Sequence, residues 1–223
     1  MNRRQLLTSL MSGLGMTACS SFSSSLSSTL KLEAGLFRGP HRSASDYPVS
    51  AEQLARIPYS KLGVRVGQAP RLVMLLSSID GDKLTWVSED RVRFVTLHGR
   101  LIETAGMPRD VHKMVWREAD PLLRLARAGE GSAEAQCLLD YRKEAENDIQ
   151  AKVRMRVAGT EVIEILGESH PTTVVEETFD IPSWRWEASN RYWVDPQSGI
   201  VWRSQQQYCP EVGTYELEWL AQT

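Results

Sequence analysis

Cys19 is the residue whose surroundings predict its chemistry most directly. It follows a basic start, a short apolar run over residues 6–15 and the small-residue sequence Met-Thr-Ala. The apolar run is shorter than the roughly 20 residues that a helix needs to cross a bilayer, which is typical of a cleaved secretion signal. Residues 16–19 resemble a lipobox, the motif in which the cysteine thiol is acylated before the signal peptide is cleaved. We therefore expect residues 1–18 to be a signal peptide and Cys19 to carry lipid.

The predicted lipid would attach the mature chain to a membrane. Each buried lipid methylene contributes about 0.8 kcal/mol, so several acyl chains together give stable attachment. Ser20 follows the cysteine, where an Asp would resemble an inner-membrane retention signal. The periplasmic face of the outer membrane is therefore the predicted location. Arg3-Arg4 also resembles a twin-arginine export signal, so the export route stays open, and a signal cleaved without lipidation is the alternative.

The remaining residue patterns do not predict an active site. His98 precedes Gly99 and is interpreted as a polar residue at the end of a strand. The sequence contains no Gly-x-Ser-x-Gly motif and no glycine-rich phosphate loop. No two histidines have the three- or four-residue spacing of metal ligands on one helix face; they are His41, His98, His112 and His170. We expect no metal, no cofactor and no enzymatic activity.

Seven tryptophans are the unusual feature of the composition. Trp86 and Trp219 lie in alternating segments and are interpreted as core residues. A tripeptide after Pro182 is different, since two rings flank an arginine in a polar stretch, and aromatic rings beside polar donors suit sugar rings. Core packing remains the alternative for these rings as well. The candidate contacts for a glycan or a partner protein are Trp184, Arg185, Trp186 and Arg203.

Cys137 and Cys209 are the two thiols that remain after lipidation. They are candidate disulfide partners, since disulfides persist outside the cytoplasm. The sequence alone cannot place their Cα atoms within roughly 7 Å of each other, which a disulfide requires. Two isolated buried thiols are the favoured alternative.

Composition and charge describe a globular chain. Its 223 residues are 42% hydrophobic and 24% charged, enough for one domain with a core. The formal net charge of -2 provides no positive field for a nucleic-acid backbone. Nucleic acid is therefore not an expected partner.

The segments that must position these residues are mainly predicted strands. Residues 19–47, beginning with lipidated Cys19, form a Ser-rich tether, and residues 48–223 form a single β-rich domain. Asp80-Gly81 predicts a hairpin in a first meander, and Gly159 is expected to turn the chain within a second set. The predicted strands are residues 72–76, 84–87, 92–97, 101–104, 153–157, 162–165, 172–179, 191–194, 200–206 and 214–219. In the last of them Tyr215, Leu217 and Trp219 alternate with Glu216 and Glu218.

Two short helices are predicted beside the strands. Residues 50–53 have capping-box spacing before a helix that Pro58 closes. Asp120-Pro121 begins another helix, which Gly129 can end, and residues 133–146 are predicted to continue as helix. The fold class is therefore mainly β: an antiparallel sandwich or partly open barrel-like domain with one or two short helices.

Four stretches of the mature chain resemble the family of group 4 capsule polysaccharide lipoproteins of the YjbF/GfcB type. The first is Gly-Arg-Leu-Ile-Glu-Thr-Ala-Gly-Met-Pro-Arg-Asp, and the others are Asp-Pro-Leu, Asn-Arg-Tyr-Trp-Val-Asp and Gly-Ile-Val-Trp-Arg-Ser-Gln; they occupy residues 99–110, 120–122, 190–195 and 199–205. Pro210 lies beyond them. The resemblance implies an all-β, barrel-like fold, an outer-membrane location and a part in polysaccharide assembly or export. It implies no catalytic residues.

These observations favour a non-enzymatic accessory lipoprotein of capsule or exopolysaccharide assembly or export, with polysaccharide or export-machinery proteins as partners. A periplasmic carrier or chaperone for a lipid or acyl chain is an alternative, which strand faces lining an empty apolar concavity would favour. A polysaccharide hydrolase is another, and it needs two carboxylates across a cleft. Glu176 and Glu177 are adjacent and point to opposite faces of a strand, which argues against such a pair.

Overall fold

Twelve strands make up most of the domain. The computed structural model describes residues 51–142 and 146–221. Helix α1 (Ala51–Ala55) precedes the strands, and helix α2 (Leu122–Ala128) separates β6 from β7. The strands are β1 (Lys61–Val66), β2 (Leu72–Asp80), β3 (Lys83–Val87), β4 (Arg93–Leu97), β5 (Arg100–Ala105), β6 (Val111–Trp116), β7 (Ser132–Tyr141), β8 (Glu146–Ile165), β9 (Glu168–Ile181), β10 (Trp186–Val194), β11 (Val201–Gln206) and β12 (Tyr215–Ala221).

All twelve strands belong to one antiparallel sheet. Their order is β5-β4-β3-β2-β1-β12-β11-β10-β9-β8-β7-β6, so strands that follow one another in the chain are paired except at β5 and β6, and the first strand pairs with the last. The two edge strands, β5 and β6, are consecutive in the chain and contact each other. The sheet is therefore nearly closed into a barrel, which confirms the mainly β, barrel-like prediction and shows one sheet rather than two.

The interior of the barrel is filled by side chains at alternating positions. Tyr215, Leu217 and Trp219 of β12 pack in the main core, whereas Glu216 and Glu218 form ion pairs on the outer face. This is the alternation that the sequence predicts for the strand. Several of the largest core side chains are fully buried; they include Trp86, Phe94, Tyr141, Phe179, Tyr192 and Tyr208.

Two short helices lie where the sequence predicts them. Ile57 N donates to Leu54 O in the turn after α1, and Pro58 follows. Asp120 caps α2, since its Oδ1 accepts a hydrogen bond from Leu122 N at 3.0 Å. Gly129 ends α2 in the left-handed conformation. Neither helix of the described residues has the length and apolar composition to span a bilayer.

Two predictions for the middle of the chain are wrong. Residues 133–146 are not predominantly helical: β7 occupies Ser132–Tyr141, because its pairing with β6 on one side and β8 on the other overrides a helix-favouring composition. Gly159 does not turn the chain, since β8 continues to Ile165. The register with β9 shifts between Val157 and Gly159, so the glycine belongs to a β-bulge, where its φ of 127° is tolerated.

Beyond this bulge, the hairpin of β8 and β9 covers part of the outer face of the sheet. Trp193 Nε1 of β10 donates to Glu161 at 2.9 Å, and the ring of His170 stacks on Trp202 of β11. A second, smaller core results between the hairpin, the sheet and α1; its buried members are Leu54, Ile163, Ile165, Val174, Trp193 and Leu220.

We expect Gly99→Ala to destabilise the domain strongly. Residue 99 has a φ of 76° in the turn between β4 and β5, and an added Cβ would clash with the side chain of Val201 on β11. Strain and overpacking together predict a loss of about 3 kcal/mol or more, measured as the free energy of unfolding in urea. Gly81→Ala is the matched control, because φ is 58° there but no atom lies within 4 Å; about 1 kcal/mol is expected. Equal losses in the two variants would contradict the close contact between β5 and β11.

Candidate functional site

The guanidinium of Arg100 lies at the centre of a buried polar cluster. Its side chain is 1% exposed, and that of its partner Glu177 is fully buried. Arg100 Nη2 donates to Glu177 Oε2 at 2.7 Å, and Nε donates to Asp120 Oδ2 at 2.6 Å. Two carboxylates therefore share one buried cation, an arrangement that is stable only when every charge keeps its partners.

Hydroxyl and amide groups complete the cluster. Arg100 Nη1 donates to Tyr192 OH at 2.7 Å, and Asn190 Nδ2 donates to Glu177 Oε1 at 2.7 Å. Tyr208 links Tyr192 to Gln206, since its hydroxyl lies 3.3 Å from that of Tyr192 and donates to Gln206 Oε1. Gln206 Nε2 donates to Gly99 O, and its Oε1 also accepts from Leu101 N, each at 2.9 Å. The amide of Gln206 thus replaces, for β5, the backbone partners that a neighbouring strand would supply.

Five elements bring these side chains together. Arg100 comes from β5, Asp120 from the start of α2 and Glu177 from β9, whereas β10 and β11 supply Asn190, Tyr192, Ser204 and Gln206. Most of these residues fall in the four stretches that carry the family resemblance. The sequence predicted none of these residues as a site, and Glu177 and Gln206 lie outside those stretches; alternation places them inside the sheet only once the strands and their register are known.

Burial and charge act in opposite directions within this cluster. Burial by itself lowers the pKa of the Arg100 guanidinium, but the carboxylates of Asp120 and Glu177 outweigh that effect and hold the pKa above its ordinary value. Burial raises the pKa of the Tyr192 hydroxyl, and the positive charge of Arg100 reduces this rise without cancelling it. Arg100 is therefore permanently cationic and Tyr192 remains a neutral hydrogen-bonding group, so the cluster holds its geometry and is poorly placed to move protons.

The residues predicted as glycan contacts do not form one surface. Trp184 lies in a short 3₁₀ turn (Pro182–Trp184), and its ring packs on the guanidinium of Arg109 and beside Tyr141. Trp186 is half-buried against the main core, and only Arg185 of the tripeptide is exposed. Much of the surface of the Trp184 and Trp186 rings is therefore covered by the domain at this end of the barrel.

Arg203 lies on β11, beside the end of β10 that is far from this tripeptide. It pairs in register with Trp193, seven residues after Trp186, a separation of about 23 Å along a strand. Its Nε donates to Glu218 at 2.7 Å, and its Nη2 donates to Glu164 O at 3.1 Å. Arg203 therefore holds the covering hairpin against the outer face of the sheet.

The outer face of β7 to β11 carries a polar groove of about 650 Å³, which we call the outer polar groove. Arg156 forms an ion pair with Glu176 across it, and Arg154 forms another with Glu187 at 3.1 Å. The arginine side chains are 65% and 50% exposed, so they are accessible to a ligand. The lining of the outer polar groove includes Glu134, Arg154, Arg156, Glu176, Ser189 and Arg191.

The remaining predicted residues are placed as follows. Trp86 and Trp219 meet edge to face in the main core, with ring centroids 5.5 Å apart, as the sequence predicts. His98 is exposed at the turn between β4 and β5, and no group of residues that could hold a metal ion occurs among residues 51–142 and 146–221. Cys19 and His41 lie outside the described residues.

Cys137 and Cys209 are free and buried, so they do not form the candidate disulfide. Both residues belong to the main core. Burial raises the pKa of Cys137 to about 12 and that of Cys209 to about 11. Because the thiolate is the reactive form, both cysteines are unreactive at neutral pH.

We expect Arg100→Met to cost about 3–5 kcal/mol in the free energy of unfolding, because it leaves the carboxylate of Glu177 buried without its cation. Urea denaturation followed by tryptophan fluorescence measures the loss. Arg156→Met is the matched control, since it removes an arginine from an exposed ion pair and is expected to cost less than about 1 kcal/mol. The double variant Arg100→Met/Glu177→Met should recover part of the loss. If Arg100→Met and Arg156→Met were equally stable, the buried cluster would not support the fold.

In a chain that carries Cys19→Ser, we expect neither Cys137 nor Cys209 to react with Ellman's reagent at pH 8 while the chain is folded, because both thiols are protonated and enclosed. In urea both should react at once. A Ser132→Cys variant, at an exposed position, is the positive control for the folded protein. Immediate reaction of a native thiol in the folded chain would contradict its burial.

Comparisons with known proteins agree with this architecture. The sequence model of the family described as "Group 4 capsule polysaccharide lipoprotein gfcB, YjbF" matches residues 22–220. The uncharacterized lipoprotein GfcB of Escherichia coli K12 is 26% identical over 186 residues, which cover 82% of this chain and 86% of GfcB. The uncharacterized lipoprotein YjbF of the same organism is 24% identical over 157 residues, covering 70% and 72% of the two chains.

A solved structure has the same fold. The crystal structure of the hypothetical lipoprotein YmcC from Escherichia coli K12 superposes with a TM-score of 0.65 at 21% identity, covering 93% of this chain and 99% of that one. The likeness in structure supports the fold, and the family match extends over most of the chain. The protein therefore belongs to the family of group 4 capsule polysaccharide lipoproteins.

Proposed function

We propose that this protein is an outer-membrane lipoprotein that serves as a non-enzymatic accessory factor in the assembly or export of a capsule or exopolysaccharide. The family match over residues 22–220 carries the proposal, because the family is described by that class of polymer. Anchoring at Cys19 is proposed from the lipobox-like sequence and from membership in a family of lipoproteins.

The charge distribution supports a binding role rather than catalysis. A glycoside hydrolase needs two carboxylates that reach the substrate from opposite sides. Asp120 and Glu177 approach a common point, but both are bound to Arg100, and Glu177 is buried inside the barrel. Glu176 lies on the outer face, where it pairs with Arg156. The adjacent glutamates therefore face opposite sides of β9.

The outer polar groove is the proposed contact surface for polymer or for a partner in export. Exposed guanidinium, carboxylate and hydroxyl groups lie side by side there, and such groups make hydrogen bonds to sugar hydroxyls. Ion pairs at the surface are weak, so a ligand can replace them at little cost. This surface is a better candidate than the tripeptide 184–186, whose rings pack largely against the domain.

The lipid-carrier alternative has less support from the interior. Trp86, Tyr192 and Tyr208 are among the fully buried side chains that fill the barrel. A lipid held inside the sheet would have to displace them, which protein cores resist because they are closely packed.

Deletion of the gene tests the proposal. We expect the deletion strain to carry less surface polymer, measured by uronic acid or total sugar assay after shearing, and the wild-type gene to restore it. Cys19→Ser should fail to restore polymer although the protein accumulates, because the domain is no longer anchored. Unchanged surface polymer in the deletion strain would refute the assigned role.

A paired substitution tests the contact surface in the same strain. Arg154→Ser/Arg156→Ser removes two arginines from the outer polar groove and should lower surface polymer. Arg91→Ser/Arg124→Ser removes two exposed arginines elsewhere and should restore polymer fully. If both double variants restored polymer equally, the groove would not be the contact surface.

A further inference from the structure

An apolar groove of about 710 Å³ lies on the outer face of β2 and β3, beside the segment that follows α1. We call it the apolar groove. Leu75 and Val87, which are paired in register, form part of its floor, and Ile57 and Tyr59 form a wall. Tyr59 is 56% exposed although most of its side chain is apolar. A large exposed apolar patch marks a binding site more often than the rest of a protein surface does.

The groove lies next to the point at which the described chain begins. α1 starts at Ala51, and Ile57 in the wall follows the end of that helix by two residues. Residues 1–50 lie outside the described residues. Any segment shortly before residue 51 can reach the groove, because a chain of 14 residues spans up to roughly 46 Å when extended.

One stretch of the sequence before residue 51 has the composition that the groove requires. Residues 30–37 read Leu-Lys-Leu-Glu-Ala-Gly-Leu-Phe, and they form an apolar cluster beyond the Ser-rich stretch that follows Cys19. Lys31 lies within the cluster and Arg38 directly follows it. The rim of the groove carries the exposed carboxylates of Glu89 and Asp90. Residues 30–38 hold two basic residues and one acidic residue, Glu33, so their net charge is +1 and opposite to that of these carboxylates.

The extent of the family match points the same way. The match begins at residue 22, well before α1. A segment that served only as a flexible tether would have no contact to maintain with the domain. The match therefore includes residues 30–37 in the sequence pattern of the family.

We infer that residues 30–37 pack into the apolar groove, so that this segment of the chain covers the outer face of β2 and β3. The apolar side chains of the segment are removed from water by packing against Leu75, Val87 and Tyr59. Its basic residues lie near the acidic rim. In the anchored protein, a consequence that rests on the proposed function, only about ten residues remain as a free link after Cys19. The domain is then held with the β2–β3 face towards the membrane.

Limited trypsin digestion tests the inference on the whole mature polypeptide, residues 19–223, with Cys19→Ser so that no acyl chain competes for the groove. The cleavage rates after Lys31 and Arg38 are measured by mass spectrometry and compared with those of a synthetic peptide of residues 27–44. We expect cleavage at least about tenfold slower in the protein, because cleavage requires the bound segment to open.

Two groove variants and one matched control complete the design. Leu75→Arg and Tyr59→Asp should raise the cleavage rates to those of the peptide. Ile79→Arg introduces the same charge on the same strand, at a residue that is 65% exposed and does not line the groove, and should leave the protection unchanged. Melting temperatures of all variants establish that they are folded, and Tyr59→Asp, at an exposed position, keeps the test valid if Leu75→Arg unfolds.

Other occupants give other results, each of which overturns the inference. Cleavage of the wild-type chain at the rate of the peptide shows that the segment is free. Flotation of this unlipidated chain with phosphatidylethanolamine and phosphatidylglycerol vesicles, abolished by Tyr59→Asp, assigns the groove to a lipid surface. A dimer in sedimentation that Leu75→Arg dissociates, without a change in cleavage, assigns it to a second copy. None of these results depends on the polymer assay, so the failure of this inference and that of the proposed function are distinguishable.

Discussion

The barrel is completed by side chains where its backbone ladder is interrupted. β5 and β6 are the two edges of the sheet, and unpaired edges are costly when buried and prone to aggregation when exposed. Thr104 of β5 accepts a hydrogen bond from Val111 N of β6, the guanidinium of Arg100 lies over the ring of Trp116, and Gln206 satisfies the backbone of β5 from across the barrel. The buried ion pair of Arg100 with Glu177 joins this edge of the sheet to β9 across the barrel, so the same arginine contacts the other edge strand and the opposite wall.

Two separate cores stabilise this sheet, one on each face. The main core fills the barrel, whereas the second core exists because the bulge at Gly159 lets a very long hairpin pack against the outer face. Trp193 belongs to the second core although its neighbours in the chain, Tyr192 and Val194, belong to the first. A strand buried on both faces needs apolar residues in succession, and residues 192–194 meet that requirement.

Local patterns predicted many elements and few of their relationships. Alternation in β12, the Asp80-Gly81 hairpin and the Gly129 end of α2 followed from residue types alone, because each depends on neighbours in the chain. β7 was predicted as helix, because residues 133–146 favour a helix until two strands pair with them. Arg100 and Glu177 are 77 residues apart. Neither residue signals the other, and only the register of twelve strands brings them together.

The distribution of surfaces limits how such a domain can be used at a membrane. The outer polar groove lies on β7 to β11, whereas the apolar groove lies on β2 and β3, near the start of the described chain. In the order of the sheet these strand groups are separated by β1 and β12, so around a nearly closed barrel they face different directions. With the anchor that we propose at Cys19, the β2–β3 face would lie towards the bilayer and the outer polar groove would point away from it. Contacts made at the apolar groove and at the outer polar groove therefore do not compete for the same surface.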